Sequence, residues 1–135
     1  MAILLDTGIL YALADADDAW HVRARAWIED TGDLLIVPVT VLPEVAYLLH
    51  TRLGPDVELA FVQSVAAGDL EVEPVGSNDL ARCAEVLRRY PMLGFVDASI
   101  VALAERLKIR SLATTDRRHF SAVAPKHVPR FEVVP

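Results

Sequence analysis

Apolar residues fall into short blocks along the chain, and the blocks alternate between two periods. Ala2–Leu5 is an unbroken apolar run, as expected of a strand buried on both faces. Leu10–Ala14 continues it as a short helix. Asp18 is a candidate cap for a helix over Ala19–Glu29, which puts Trp20, Ala24, Trp27 and Ile28 on roughly one face. Leu34–Val37 reads as a second strand. Thr40 is the candidate cap of a helix over Val41–Leu53, with Pro43 in its first turn, where a missing N–H does little harm. Gly54-Pro55 breaks that helix, and Asp56–Ala67 forms the next, stopped by Gly68. Leu70–Val75 alternates like a strand with one wet face. Ser77 is a candidate cap for a helix over Asp79–Tyr90, ended by Pro91. Phe95–Leu107 is helical, Ser111–Thr114 a buried strand, and Phe131–Val134 a last strand. This alternation predicts an α/β fold, a mainly parallel sheet with helices on both sides and more helix than strand.

Composition narrows the class. A chain of 135 residues fits one domain, here residues 1–135. The 53% apolar share suggests a thin polar surface or a surface that a partner covers. No apolar run approaches the length needed to span a bilayer, and the N-terminus lacks a basic leader. The single cysteine, Cys83, excludes an internal disulfide and a cysteine-based zinc site, and reads as a small core hydrophobe. These features point to the cytoplasm. The net charge of −6 argues against passive binding to nucleic acid. It leaves room for an enzyme that meets phosphates through bound cations, which invert the local field.

Four carboxylates carry the candidate chemistry, and each has an ordinary alternative. Asp6 follows the first strand, where sites gather in open α/β sheets, but an Asp there can simply cap the next helix. Glu44 has Val41, Val45 and Leu48 as helical neighbours, which places a carboxylate on or beside an apolar face. Its alternative is a first-turn acid that favours the helix dipole and leans into water. Asp97 neighbours Ile100 and Val101, and again capping is the alternative. Asp116 follows the strand at Ser111 and is also placed to cap a short helix over 117–120. If the four meet, a hard divalent cation, Mg2+ or Mn2+, is the natural counter-charge. Such a centre orients a phosphodiester, activates a water and stabilises the leaving oxygen.

In order along the chain, Leu4-Leu5-Asp6-Thr7, Pro43-Glu44-Val45, Phe95–Ala104 and Ala113–Phe120 resemble the PIN-domain pattern, and within it the VapC toxin branch of bacterial toxin–antitoxin systems. The resemblance spans essentially the whole chain. It implies a three-layer α/β/α sandwich and Mg2+- or Mn2+-dependent endoribonuclease activity on structured RNA, tRNA or ribosomal RNA. It makes Asp6, Glu44, Asp97 and Asp116 the acidic quartet. Asp6 and Asp97 would be direct metal ligands, with Glu44 and Asp116 acting through water or completing a second site. It matches Thr114 to a hydroxyl that bonds a carboxylate or the attacking water. It also implies a homodimer and a cognate antitoxin. Gly8 departs from the pattern, which often has Asn or Ser there.

Arg117, Arg118 and His119 beside the last Asp are placed either to grip RNA phosphates or to form a solvated turn. Arg88-Arg89-Tyr90 and the basic residues of 106–110 read as ordinary helix faces. His21, His50 and His127 lack metal-ligand spacing. Trp20 and Trp27 read as core packing first, and as an antitoxin or dimer contact second. A dehalogenase-type phosphatase needs a second acid two residues after Asp6, and Gly8 stands there instead. A receiver domain needs an acidic pair after the first strand and a late Lys, neither of which is evident. A catalytically silent module that only binds antitoxin or RNA remains the alternative.

Overall fold

The computed structural model describes residues 1–135. Strands β1 (Ala2–Leu5), β2 (Leu34–Pro38), β3 (Glu71–Glu73), β4 (Ser111–Ala113) and β5 (Glu132–Val134) form one sheet, in the order β3-β2-β1-β4-β5. Every neighbouring pair is parallel. The apolar β1 lies at the centre, flanked by β2 and β4, and the short charged β3 lies at an edge. Leu4 pairs with Ile36 on one side and Leu112 on the other. The sheet is thus fully parallel, as the near-continuous apolar runs of its central strands require.

Seven helices connect the strands: α1 (Thr7–Ala14), α2 (His21–Asp30), α3 (Val41–Leu53), α4 (Pro55–Ala66), α5 (Ser77–Arg89), α6 (Phe95–Leu107) and α7 (Arg117–Ser121). Helices α1 to α4 pack on one another, and α5 packs on α6. The path β1-β2-β3 runs one way across the sheet, and the return to β4 crosses back. Right-handed crossovers therefore place the two helix groups on opposite faces, giving three layers. The core includes Leu4, Leu5, Ile9, Val37, Val45, Leu49, Ile100, Leu103, Leu112 and Phe120. Cys83 belongs to it, and Trp20 and Trp27 pack against it half-buried.

Several sequence expectations shift. α1 begins three residues earlier than expected, at Thr7, because Asp6 caps it. α2 begins at His21, because Asp18 Oδ1 accepts from Trp20 N at 2.8 Å and delays the first turn. Ser77 is the first residue of α5 and not its cap. Gly76 caps that helix, and its N–H donates to Asp79 Oδ2 at 3.0 Å. Thr40 precedes α3, but its hydroxyl makes no cap bond; it meets Ser99 Oγ at 2.6 Å. β3 is confined to Glu71–Glu73. Gly54, at φ 101°, makes the sharp turn between α3 and α4.

The strand order reverses between β1 and β4. In an open parallel sheet, the crevice at the carboxyl ends of such a pair is where ligands bind. Asp6 and Asp116 follow these two strands.

Candidate metal-binding active site

An open cleft of about 570 Å3 lies at this crevice, lined by Asp6, Glu44, Asp97, Asp116, Thr115 and His119, among others. The structure therefore brings all four sequence-selected carboxylates to one place. Asp6 comes from the end of β1, Glu44 from the first turn of α3, Asp97 from the first turn of α6, and Asp116 from the loop after β4. α3 and α6 approach from opposite sides of the sheet. Ser99 locks their starts together: fully buried, it donates to Val96 O at 2.6 Å and meets the Thr40 hydroxyl.

Asp6 is the inner member, only 8% exposed. Its Oδ1 accepts from Thr7 N at 2.6 Å, and its Oδ2 accepts from the Thr114 hydroxyl at 2.7 Å. Thr114, completely buried, also accepts from Asp116 N at 2.9 Å, so one hydroxyl ties two strand-end acids together. Burial pushes the Asp6 carboxyl up to about 6; the Thr114 hydrogen bond opposes this, and the charge of Asp97 adds to it. Asp97 is half-buried and is also raised, first by burial and then by the neighbouring Asp116 charge. Asp116 is half-buried and caps α7, accepting from His119 N at 3.3 Å.

Glu44 lines the cleft but is exposed, so of its two readings the first-turn acid that leans into water holds over an acid set into an apolar face. It stands in the first turn of α3, with its side chain toward solvent. The capping alternatives hold for Asp6 and Asp116, which cap α1 and α7 while also lining the cleft. Asp97 is not the N-cap of α6, which is Gly94, but its carboxylate accepts from the Gly94 backbone, so it too serves the helix start while lining the cleft.

The basic cluster beside Asp116 divides. His119 turns into the cleft, with Nδ1 2.8 Å from Asp116 Oδ2 and 3.8 Å from Asp97 Oδ2. Arg117 turns away: its guanidinium stacks over Trp20 at 5.6 Å and bonds the carbonyl of Pro135. Arg106 is no ordinary face residue. It pairs with Glu73 and Asp79, while Arg82 clamps Glu105. Sequence reasoning passed over Thr115 and did not give Thr7 a firm place. Thr7 is buried, lines the cleft, and its hydroxyl has no protein partner. A small hydroxyl residue next to a strand-end acid was the available signal.

Gly8, the departure from the family pattern, has a geometric cause. A Cβ at position 8 would collide with Thr115 Oγ1, although the Thr115 Cβ and Cγ2 would lie at ordinary distances of 3.5 and 3.8 Å.

No three of these side chains form a ready-made cage for one ion. The donor set nevertheless fits a hard divalent cation, which prefers oxygen ligands and retains waters. Oxygen donors surround the cleft, and the buried Thr7 hydroxyl lacks a partner. Burial holds the Asp6 and Asp97 carboxyls toward their neutral forms, with the Asp97 charge adding to it at Asp6 and the Asp116 charge at Asp97, the condition that a cation relieves.

Comparison with known proteins identifies the family and the fold. The PIN domain family model matches residues 3–126. Ribonuclease VapC26 of Mycobacterium tuberculosis is 36% identical over 135 residues, covering 98% of this chain and all of the relative. The crystal structure of VapC20 from the same organism, a sarcin-ricin loop cleaving toxin, superposes with a TM-score of 0.85 at 26% identity, covering 98% of this chain and 99% of that one. A toxin–antitoxin complex from Klebsiella pneumoniae shares the fold, with a TM-score of 0.74 at 18% identity over 98% and 96% of the two chains. The chain belongs to the PIN-domain family, in its VapC ribonuclease branch.

Proposed function

We propose that this chain, a single PIN domain over residues 1–135, is the toxin of a toxin–antitoxin pair and a Mg2+- or Mn2+-dependent endoribonuclease that hydrolyses phosphodiester bonds in structured RNA. The observation that carries the reading is the convergence of Asp6, Glu44, Asp97 and Asp116 on one open cleft at the switch point of the sheet. Asp6 and Asp97, the more buried pair with raised carboxyls, are the direct ligands. Glu44 and Asp116, more open to water, act through solvent or complete a second position. When bound, the cation supplies Lewis acidity and lowers the pKa of a coordinated water. Thr114 holds the Asp6 carboxylate in one orientation and couples it to the Asp116 backbone. Ser99 and Thr40 fix Asp97 relative to Glu44.

Ribosomal RNA or tRNA is the substrate class. The support is similarity to VapC20, whose target is the sarcin-ricin loop. A cognate antitoxin has a fitting surface: α1, α2 and α4 line a groove of about 470 Å3 with Leu10, Leu13, Ile28, Val57, Phe61 and Leu70. Tyr47, Leu59 and Val62 leave further apolar surface exposed on α3 and α4, which suits a homodimer. No helix is long and apolar enough to cross a membrane, and the cytoplasm is the matching compartment. The test is to incubate the purified protein with total RNA and Mg2+ or Mn2+, with Asp97→Asn as control. Metal-dependent cleavage by the wild type alone is expected. Equal cleavage by both proteins would remove the mechanism, and none by either would leave a binding module.

A further inference from the structure

Positions 8 and 115 behave as one unit. They come from different elements, the first turn of α1 and the loop after β4, and both line the cleft between Asp6 and Asp116. The Thr115 hydroxyl occupies the space that a side chain at position 8 would need. Only the hydroxyl conflicts; the rest of the threonine would tolerate a Cβ at position 8. Glycine at position 8 is therefore what allows this hydroxyl to sit where it does.

The two neighbouring threonines differ in what they bond. The Thr114 hydroxyl donates to Asp6 and accepts from Asp116 N. Thr115 is half-buried at the cleft wall, and its hydroxyl bonds no protein atom. Besides Thr115, the side-chain donors on the cleft wall are the buried Thr7 hydroxyl and His119, whose Nδ1 already lies 2.8 Å from Asp116 Oδ2, while Arg117 is committed to Trp20 and Pro135. A phosphodiester entering the cleft brings anionic oxygens that need donors. A neutral hydroxyl meets that need without competing with the carboxylates for a cation, and threonine hydroxyls are ordinary phosphate contacts.

We infer that Thr115 is a substrate-contacting residue whose hydroxyl donates to a non-bridging oxygen of the RNA phosphate, and that Gly8 is its positioning residue. The inference rests on the reading of the cleft as an RNA-cleaving site. Four variants test it: T115A, T115S, G8A and G8A/T115A. Each is measured for kcat and KM on a fluorogenic oligoribonucleotide with Mn2+, for Mn2+ affinity by calorimetry, and for melting in EDTA.

T115A is expected to lose about tenfold in kcat/KM, the size of one hydrogen bond to a charged group, with Mn2+ affinity and melting unchanged. T115S keeps the hydroxyl and stays near wild type. G8A turns the hydroxyl aside and loses a similar factor without unfolding, since alanine favours the helix. The double variant falls no further than T115A alone, because the collision needs Oγ1. Unaltered kcat/KM in T115A, failure of T115S to retain activity, or multiplying losses in the double variant would each overturn the inference. An inactive wild type would overturn the functional reading and this inference with it, whereas an active wild type with an equally active T115A overturns the inference alone.

Discussion

Replacing Asp6 with asparagine should stabilise the metal-free protein at alkaline pH while abolishing metal binding. The Asp6 carboxyl is raised from 3.8 to about 6, chiefly by burial. A raised acid is held protonated by the folded state, so its unfavourable effect is absent below the unfolded value and grows as pH rises through the window from about 4 to 6. A shift of about two units corresponds to about 3 kcal/mol of destabilisation once the group is fully ionised. Asparagine removes that cost. It keeps one oxygen for the Thr7 N–H but presents an NH2 to Thr114, losing a hydrogen bond worth about 1 kcal/mol. The net expectation is a gain of about 2 kcal/mol at pH 8 in EDTA, or a rise in melting temperature of about 5 to 8 °C for a domain of this size. At pH 4 the wild-type carboxyl is already neutral in the fold, and the gain should vanish or reverse. Urea denaturation at pH 8 and pH 4, with EDTA present, measures both. Adding Mn2+ at pH 8 should stabilise the wild type by mass action and leave Asp6→Asn unmoved. A variant no more stable than wild type at pH 8, or equally favoured at both pH values, would refute the electrostatic account of this carboxylate.

Further outcomes follow from the same structure. Arg82→Ala should cost about 3 kcal/mol, because it strands the buried Glu105, which accepts from Arg82 Nε at 2.7 Å and from Lys126 N at 2.9 Å; equilibrium denaturation measures it. Burial alone would raise Asp79 and Glu105, but Arg106 with the Gly76 N–H, and Arg82 with the Lys126 N–H, together outweigh it and hold both carboxyls below the usual range. Their contribution is present above the unfolded carboxylate values and is lost as pH falls through the depressed ones, so a plot of urea midpoints against pH should fall steeply on the acid side. Ser99→Ala should cost about 1 to 2 kcal/mol and weaken Mn2+ affinity, because it frees the start of α6 from α3; calorimetry on the folded variant separates the two effects.

The legible parts of this fold were those whose local signals agree. β1, β4 and α6 stand at their expected places, because unbroken apolar runs and a 3.6-residue apolar stripe have few other solutions. Helix starts were less legible, because side chains chose other partners. Thr40 gives its hydroxyl to Ser99, which lies 59 residues away in the chain, a contact that no local pattern encodes. Asp6 shows why the site was readable residue by residue but not as a whole. Its capping and cleft-lining roles occupy the same position, and only the strand order decides that Asp116 stands beside it. Glu44 was placed on the correct helix turn, but its exposure depends on how α3 lies against the sheet. The fit of Thr115 to Gly8 was opaque for the same reason, since it is a contact between the first turn of α1 and a loop more than a hundred residues away.

The central claim is that the cleft at the ends of β1 and β4 is a metal centre built by these four acids. Anomalous diffraction from crystals soaked in Mn2+, recorded for the wild type and for Asp97→Asn, tests it most directly. The account predicts a manganese peak in the wild-type cleft, ligated by carboxylate oxygens of Asp6 and Asp97, and its loss in the variant. A cleft without manganese, or an equal peak in both proteins, would contradict it.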